Sequence, residues 1–185
     1  MKKIVIFASG SGSNAENIIT YFSKDKNISF PCILSNKEDA FVKVRAGKLG
    51  VPFKYFTKDE WKNGDILRFL QEIKPDLIVL AGFLLRVPAE IISSFPEKII
   101  NIHPSLLPKH GGKGMYGMHV HEAVVADGDK ESGISIHYVN ENLDEGAIIF
   151  QAKCEVLPSD TPEDVAGKVH ELEYKFFPEV IERLI

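Results

Sequence analysis

Apolar runs of strand length alternate with segments of helical period along the first hundred residues. KKIVIFASG (Lys2 to Gly10) is almost continuously apolar and stops at glycine, the pattern of a strand buried on both faces. A helical stretch runs from Asn14 to about Ser23, FPCILSN (30–36) reads as a second strand, and Ala40 to Leu49 as a helix ended by Gly50. VPFKYF is a short third strand, and Thr57 with Glu60 forms a capping box opening a helix through Ile73. LIVLAGF (77–83) is a fourth strand, 89–94 a short helix, and KIINIH (98–103) a fifth strand closed by Pro104. After an irregular, glycine-rich stretch from Ser105 to Met118, residues 119–126 read as a helix. GISIHYVN (133–140) and AIIFQAKCEV (147–156) pair across the ENLDEG turn, and Thr161-Pro162 opens a last helix towards Ile185. The pattern predicts an α/β fold with a doubly wound, mostly parallel sheet, a C-terminal antiparallel hairpin and a final helix, in one domain spanning 1–185.

Composition narrows the function. Hydrophobic residues make up 44% and charged residues 26%, which is globular rather than disordered. A net charge of -4 argues against a chain that coats nucleic acid or an anionic membrane, yet leaves room for a small anion held by backbone amides. No apolar run approaches the ~20 residues of a membrane span, and the N-terminus has no signal-peptide profile. Cys32 and Cys154 each sit in an apolar run, so two buried free thiols in a reducing cytoplasm are expected.

Gly10-Ser11-Gly12-Ser13-Asn14-Ala15 follows the first strand and opens the first helix, where glycines and the helix dipole suit a phosphate. It also matches the dinucleotide pattern G-x-G-x-x-A, but that reading wants an acidic residue ending the second strand, and Ser35-Asn36 stands there. A monophosphate site is the favoured reading, against a ligand-free tight turn. In KIINIHP the alternation puts Asn101 and His103 on one face at the strand's C-terminal end, the rim where open α/β sheets bind ligands. An amide and an imidazolium can both donate to a developing oxyanion. Asp144, in the hairpin turn, is the carboxylate expected to orient the imidazole and to raise its pKa above about 6.5. By spacing alone it is equally a plain turn aspartate. His119-Val-His121 does not suit a metal, because residues two apart on a helix point in different directions.

These residues carry a resemblance. The strings IVIFASGSGSN, ILSNK, VLAGF, NIHPSLLP, HVHEAV, LDEG and QAKCEV make the chain similar to the phosphoribosylglycinamide formyltransferase branch of the folate-dependent formyltransferase family along nearly its whole length. The resemblance implies a Rossmann-like formyltransferase fold and transfer of a formyl group from 10-formyltetrahydrofolate to the amine of 5-phosphoribosylglycinamide, in purine biosynthesis. It makes Asn101, His103 and Asp144 the catalytic trio, and Gly12, Ser13 and Asn14 the substrate phosphate site. It places the substrate's ribose at Glu173, and the folate at Phe83, Leu84, Leu85, Arg86 and Val87 together with Asn101 and Asp144. The partners it implies are small molecules, with no nucleic acid, membrane or metal. Leu85 stands where the family usually has arginine, KHGGKGMYG is longer than the usual loop, and Glu145 replaces a common glycine. A member acting on initiator methionyl-tRNA would be expected to carry a further C-terminal RNA-binding domain, and a folate-hydrolysing one a further N-terminal domain. The non-enzyme alternative is a nucleotide-binding module, against which the paired oxyanion donors argue.

Overall fold

Strand β1 (Lys2–Phe7) buries Ile4, Val5, Ile6 and Phe7, as a strand covered on both faces must. The computed structural model describes residues 1–185, in two compact units: 1–100 with Ile185, and 101–184. In the first unit β1 is followed by α1 (Ser13–Tyr21), β2 (Ile28–Ser29), β3 (Ile33–Ser35), α2 (Val42–Leu49) and β4 (Phe53–Tyr55). Then come α3 (Lys58–Lys62), α4 (Asp65–Ile73), β5 (Leu77–Leu80) and α5 (Ala89–Ser94), and the chain enters β6 (Ile99–His103). The strands lie in the order β4-β3-β1-β5, parallel throughout, with the short β2 also paired to β1.

The core of this unit is aromatic at one end. Phe7, Phe56, Trp61 and Phe83 touch one another, with the Phe56 and Trp61 rings stacked at 5.1 Å. Burying one such ring stabilises by roughly 1.5–3 kcal/mol. The Trp61 indole N–H donates to the Arg86 carbonyl at 3.0 Å, which anchors the segment after β5. The capping box at Thr57 and Glu60 is present, but the helix it opens stops at Lys62. Gly64, at φ 88°, restarts it as α4, so the predicted continuous helix is two pieces.

The second unit holds the end of β6, α6 (Met118–Ala126), β7 (Glu131–Tyr138), β8 (Ile148–Glu155) and α7 (Pro162–Leu184). Here β6 neighbours β7, and β7 pairs antiparallel with β8, with a bulge between Ile136 and His137. The antiparallel hairpin and the terminal helix stand where the sequence predicts them. Thr161 caps α7, its hydroxyl accepting from the Asp164 N–H at 3.2 Å, with Pro162 as first residue. Pro178 lies inside this helix, buried beside Phe177. No helix of the chain is long and apolar enough to cross a membrane. Cys32 is buried, and burial pushes its thiol up to about 11. Cys154 is only half-buried, so the expectation of two buried thiols holds for one.

Gly12 carries a prediction. Its φ is 74°, and an added Cβ would stand 2.3 Å from the Val42 side chain at the start of α2. Gly12→Ala is therefore expected to destabilise the fold by about 1–3 kcal/mol, read as a lower denaturation midpoint. An unchanged midpoint would show that α2 gives way freely.

Candidate active site

The alternation in β6 is realised. Ile100 and Ile102 are buried in the apolar interior, while Asn101 and His103 have polar partners. His103 is 4% exposed, and each ring nitrogen faces an oxygen. Nε2 lies 2.7 Å from the His110 carbonyl, which can only accept, so Nε2 carries the proton. Nδ1 faces Asp144 Oδ2 at 3.6 Å, too far for a direct hydrogen bond. The ring is thus anchored through one nitrogen and open to chemistry through the other.

Asp144 is more than a turn residue. Its backbone is left-handed, at φ 58°, and its carboxylate is buried. Oδ2 accepts the Gly112 N–H at 3.0 Å, and Oδ1 lies 3.6 Å from His137 Nε2. Gly146 makes the turn possible, because a Cβ there would fall 1.6 Å from the Tyr138 carbonyl.

His137 is the residue that sequence reasoning missed. Its Nδ1 lies 2.9 Å from the Tyr138 carbonyl and must donate to it, leaving Nε2 to accept from Asn101 Nδ2 at 3.1 Å. One Asn101 N–H is thereby fixed and the other is left for a ligand. The alternation of GISIHYVN did show Ser135 and His137 on a single face. Nothing in the sequence said that this face meets Asn101.

The charge states differ from expectation. Burial is the largest influence on His103 and drives its pKa below the ordinary value of about 6.5, although Asp144 and the His110 carbonyl push it up. The predicted rise is corrected: the partner is present, but desolvation outweighs it. For Asp144, burial works to raise the pKa, yet His137, His103 and the Gly112 N–H together hold it below the usual carboxylate range. At neutral pH the site therefore presents a neutral imidazole beside a carboxylate.

Glu173, on α7, is buried rather than solvated, with Oε2 at 2.6 Å from His170 Nδ1. That bond raises the His170 pKa. His119 is exposed and meets Glu122, whereas His121 is buried, so the two histidines occupy different environments.

In the first unit the glycine loop is tied down by α2. The Val42 N–H donates to the Gly10 carbonyl at 3.1 Å, and Arg45 Nε to the Ser11 carbonyl at 2.9 Å, while Arg45 also pairs with Glu16. Ser13 opens α1, so the N–H groups of Ser13 and Asn14 belong to the turn whose donors have no carbonyl within the helix. At the end of β3, Asn36 accepts from the Ser9 hydroxyl at 2.6 Å, and no carboxylate occupies the position a dinucleotide ribose would need. Of Phe83 to Val87, Phe83 and Val87 are spent on the unit's own core, while Leu84 and Arg86 are exposed. Leu85 is half-buried.

The chain is similar to known proteins over nearly its whole length. The formyl transferase family's sequence pattern matches residues 2–181. A phosphoribosylglycinamide formyltransferase of Haemophilus influenzae is 39% identical over 98% of this chain and 86% of its own length. A chloroplastic one of Arabidopsis thaliana is 38% identical over 97% of this chain, which spans 64% of that protein. The crystal structure of glycinamide ribonucleotide transformylase 1 from Geobacillus kaustophilus superposes with a TM-score of 0.90, at 30% identity, covering 100% of this chain and 98% of that one.

The site makes one electrostatic prediction. Asp144→Asn removes the charge that supports protonated His103, so the His103 pKa is expected to fall further below about 6.5 in an NMR titration. An unchanged value would dissolve the pairing.

Proposed function

The chain belongs to the formyl transferase family, and from that membership together with the site geometry we infer that it transfers the formyl group of 10-formyltetrahydrofolate to the amine of 5-phosphoribosylglycinamide. The products are formylglycinamide ribonucleotide and tetrahydrofolate, placing the reaction in purine biosynthesis. The observation that carries the reading is the Asn101–His137 bond, which leaves one Asn101 N–H for an oxyanion beside the His103–Asp144 pair.

The chemistry follows from the groups present. The amine nitrogen attacks the formyl carbon, and its lone pair forms the new C–N bond while the carbonyl electrons move onto oxygen. The free Asn101 N–H donates to that oxygen. The Asp144 carboxylate attracts the positive charge developing on the amine and holds a water that takes its proton. Neutral His103 can receive a proton at Nδ1 while Nε2 stays anchored, and burial makes the resulting imidazolium a good acid. The oxyanion then collapses, the bond to folate N10 breaks, and N10 takes up a proton. No covalent nucleophile is required.

We assign the substrate phosphate to Gly12, Ser13 and Asn14 and its ribose hydroxyls to Glu173. Loop carbonyls turned to α2 and a buried carboxylate support these assignments. The folate is assigned to the segment Phe83–Val87, with Asn101 and Asp144. The burial of Phe83 and Val87 favours main-chain contacts there over side-chain ones. The family match across 2–181 supports one formyltransferase domain over 1–185. We assign the reaction to the cytoplasm.

Mixing the protein with both substrates should release tetrahydrofolate in step with formylated ribonucleotide. Release without formylated product, or none at all, would overturn the reading. Asn101→Ala should lower kcat by roughly 10²–10³ with both KM values largely kept. Turnover within a few-fold of the parent would remove Asn101 from the mechanism.

A further inference from the structure

The loop between β6 and α6 grips the site from the outside. His110 has a left-handed backbone, φ 53°, a conformation a non-glycine residue keeps only when its surroundings hold it. Two sets of bonds do so. Outward, its buried side chain places Nε2 2.7 Å from Asp129 Oδ2 and 3.9 Å from Asp127 Oδ2, and Asp129 also takes the Lys109 ammonium. Inward, its carbonyl accepts the His103 Nε2–H at 2.7 Å, and two residues on the Gly112 N–H donates to Asp144. Ser105 Oγ donates to the Lys109 carbonyl at 2.7 Å and lies 3.5 Å from that of His110. Gly111 closes the turn, since a Cβ there would stand 2.5 Å from Leu107 Cδ2.

We infer that His110 is a positioning residue for His103: its side chain, latched to Asp129, sets the loop conformation that aims its own carbonyl at His103 Nε2 and turns Nδ1 towards Asp144. The latch lies outside the reacting groups, on a residue no assigned role covers. It rests on the formyl-transfer reading only for its effect on turnover. Its effect on the His103 ring is independent of any substrate. The carbonyl supports protonated His103, together with Asp144 and Glu173, against burial and the His137 ring. A cavity of about 450 Å³ borders His110, Asp129, Lys130 and Ser132, so side chains smaller than or similar to histidine fit at 110 without overpacking.

The test is NMR of the His103 ring in the full-length protein without substrates, with kinetics alongside. In His110→Ala the His103 pKa should drop below its parent value, and the Nε2–H signal should lose protection from solvent. Turnover should fall about 10- to 100-fold with KM for both substrates largely kept, as for a misaimed catalytic group. His110→Gln offers Asp129 an amide N–H at a similar reach and should restore both readouts. Asp129→Ala cuts the same bond from the other side and should reproduce the loss, which keeps the test available if His110→Ala does not fold. A folded His110→Ala or Asp129→Ala protein with an unmoved His103 ring would overturn the latch. So would His110→Gln behaving as His110→Ala does. A parent protein without formyl transfer but with the His103 shift in the variants would overturn the functional reading and leave the latch standing.

Discussion

His103 is buried, held at one ring nitrogen by a main-chain carbonyl and faced at the other by a carboxylate. An unpaired polar group there would cost roughly 1–3 kcal/mol, so each neighbour must supply a partner of the right kind. The His110 carbonyl dictates a proton on His103 Nε2, and the Tyr138 carbonyl dictates one on His137 Nδ1. That leaves His137 Nε2 as the acceptor that orients Asn101. Two main-chain carbonyls therefore fix the proton positions of the whole constellation. The left-handed backbones of His110 and Asp144, and the bare Cα of Gly146, are the local costs of aiming them.

Burial and charge pull in opposite directions at this site, and they win on different residues. His103 loses to desolvation and is neutral near pH 7, whereas Asp144 keeps its pKa below the usual carboxylate range despite burial, with the Gly112 N–H donating to its Oδ2. Folding therefore gains stability as pH rises past the His103 range, because the unfolded histidine binds a proton that the buried one does not. Asp144 contributes stability above its unfolded pKa, which is lost as pH falls through its folded value. For the reaction, a resting neutral imidazole beside a carboxylate can take a proton when the amine gives one up.

Much of this was legible in the amino-acid order, with clear physical limits. Period-two alternation put Asn101 and His103 together, because a strand face is a local property. Resemblance and its place in the hairpin turn brought forward Asp144. His137 escaped because its role depends on which strand β7 neighbours, and sheet order is not written in any one strand. The His103 shift had the wrong sign for a similar reason: a charged partner can be guessed from a motif, but the depth of burial cannot. Gly12 was read as room for an anion, and the structure adds that Val42 leaves no room for a side chain there. Gly64 split a helix whose apolar period continues unbroken on either side.

That main-chain carbonyls fix the protons on both histidines can be read from ¹⁵N chemical shifts of the imidazole rings at neutral pH. His103 is expected to be neutral with its proton on Nε2, and His137 to carry a proton on Nδ1 while Nε2 accepts from Asn101. A His103 ring protonated at Nδ1, or doubly protonated at pH 7, or a His137 proton on Nε2, would contradict it.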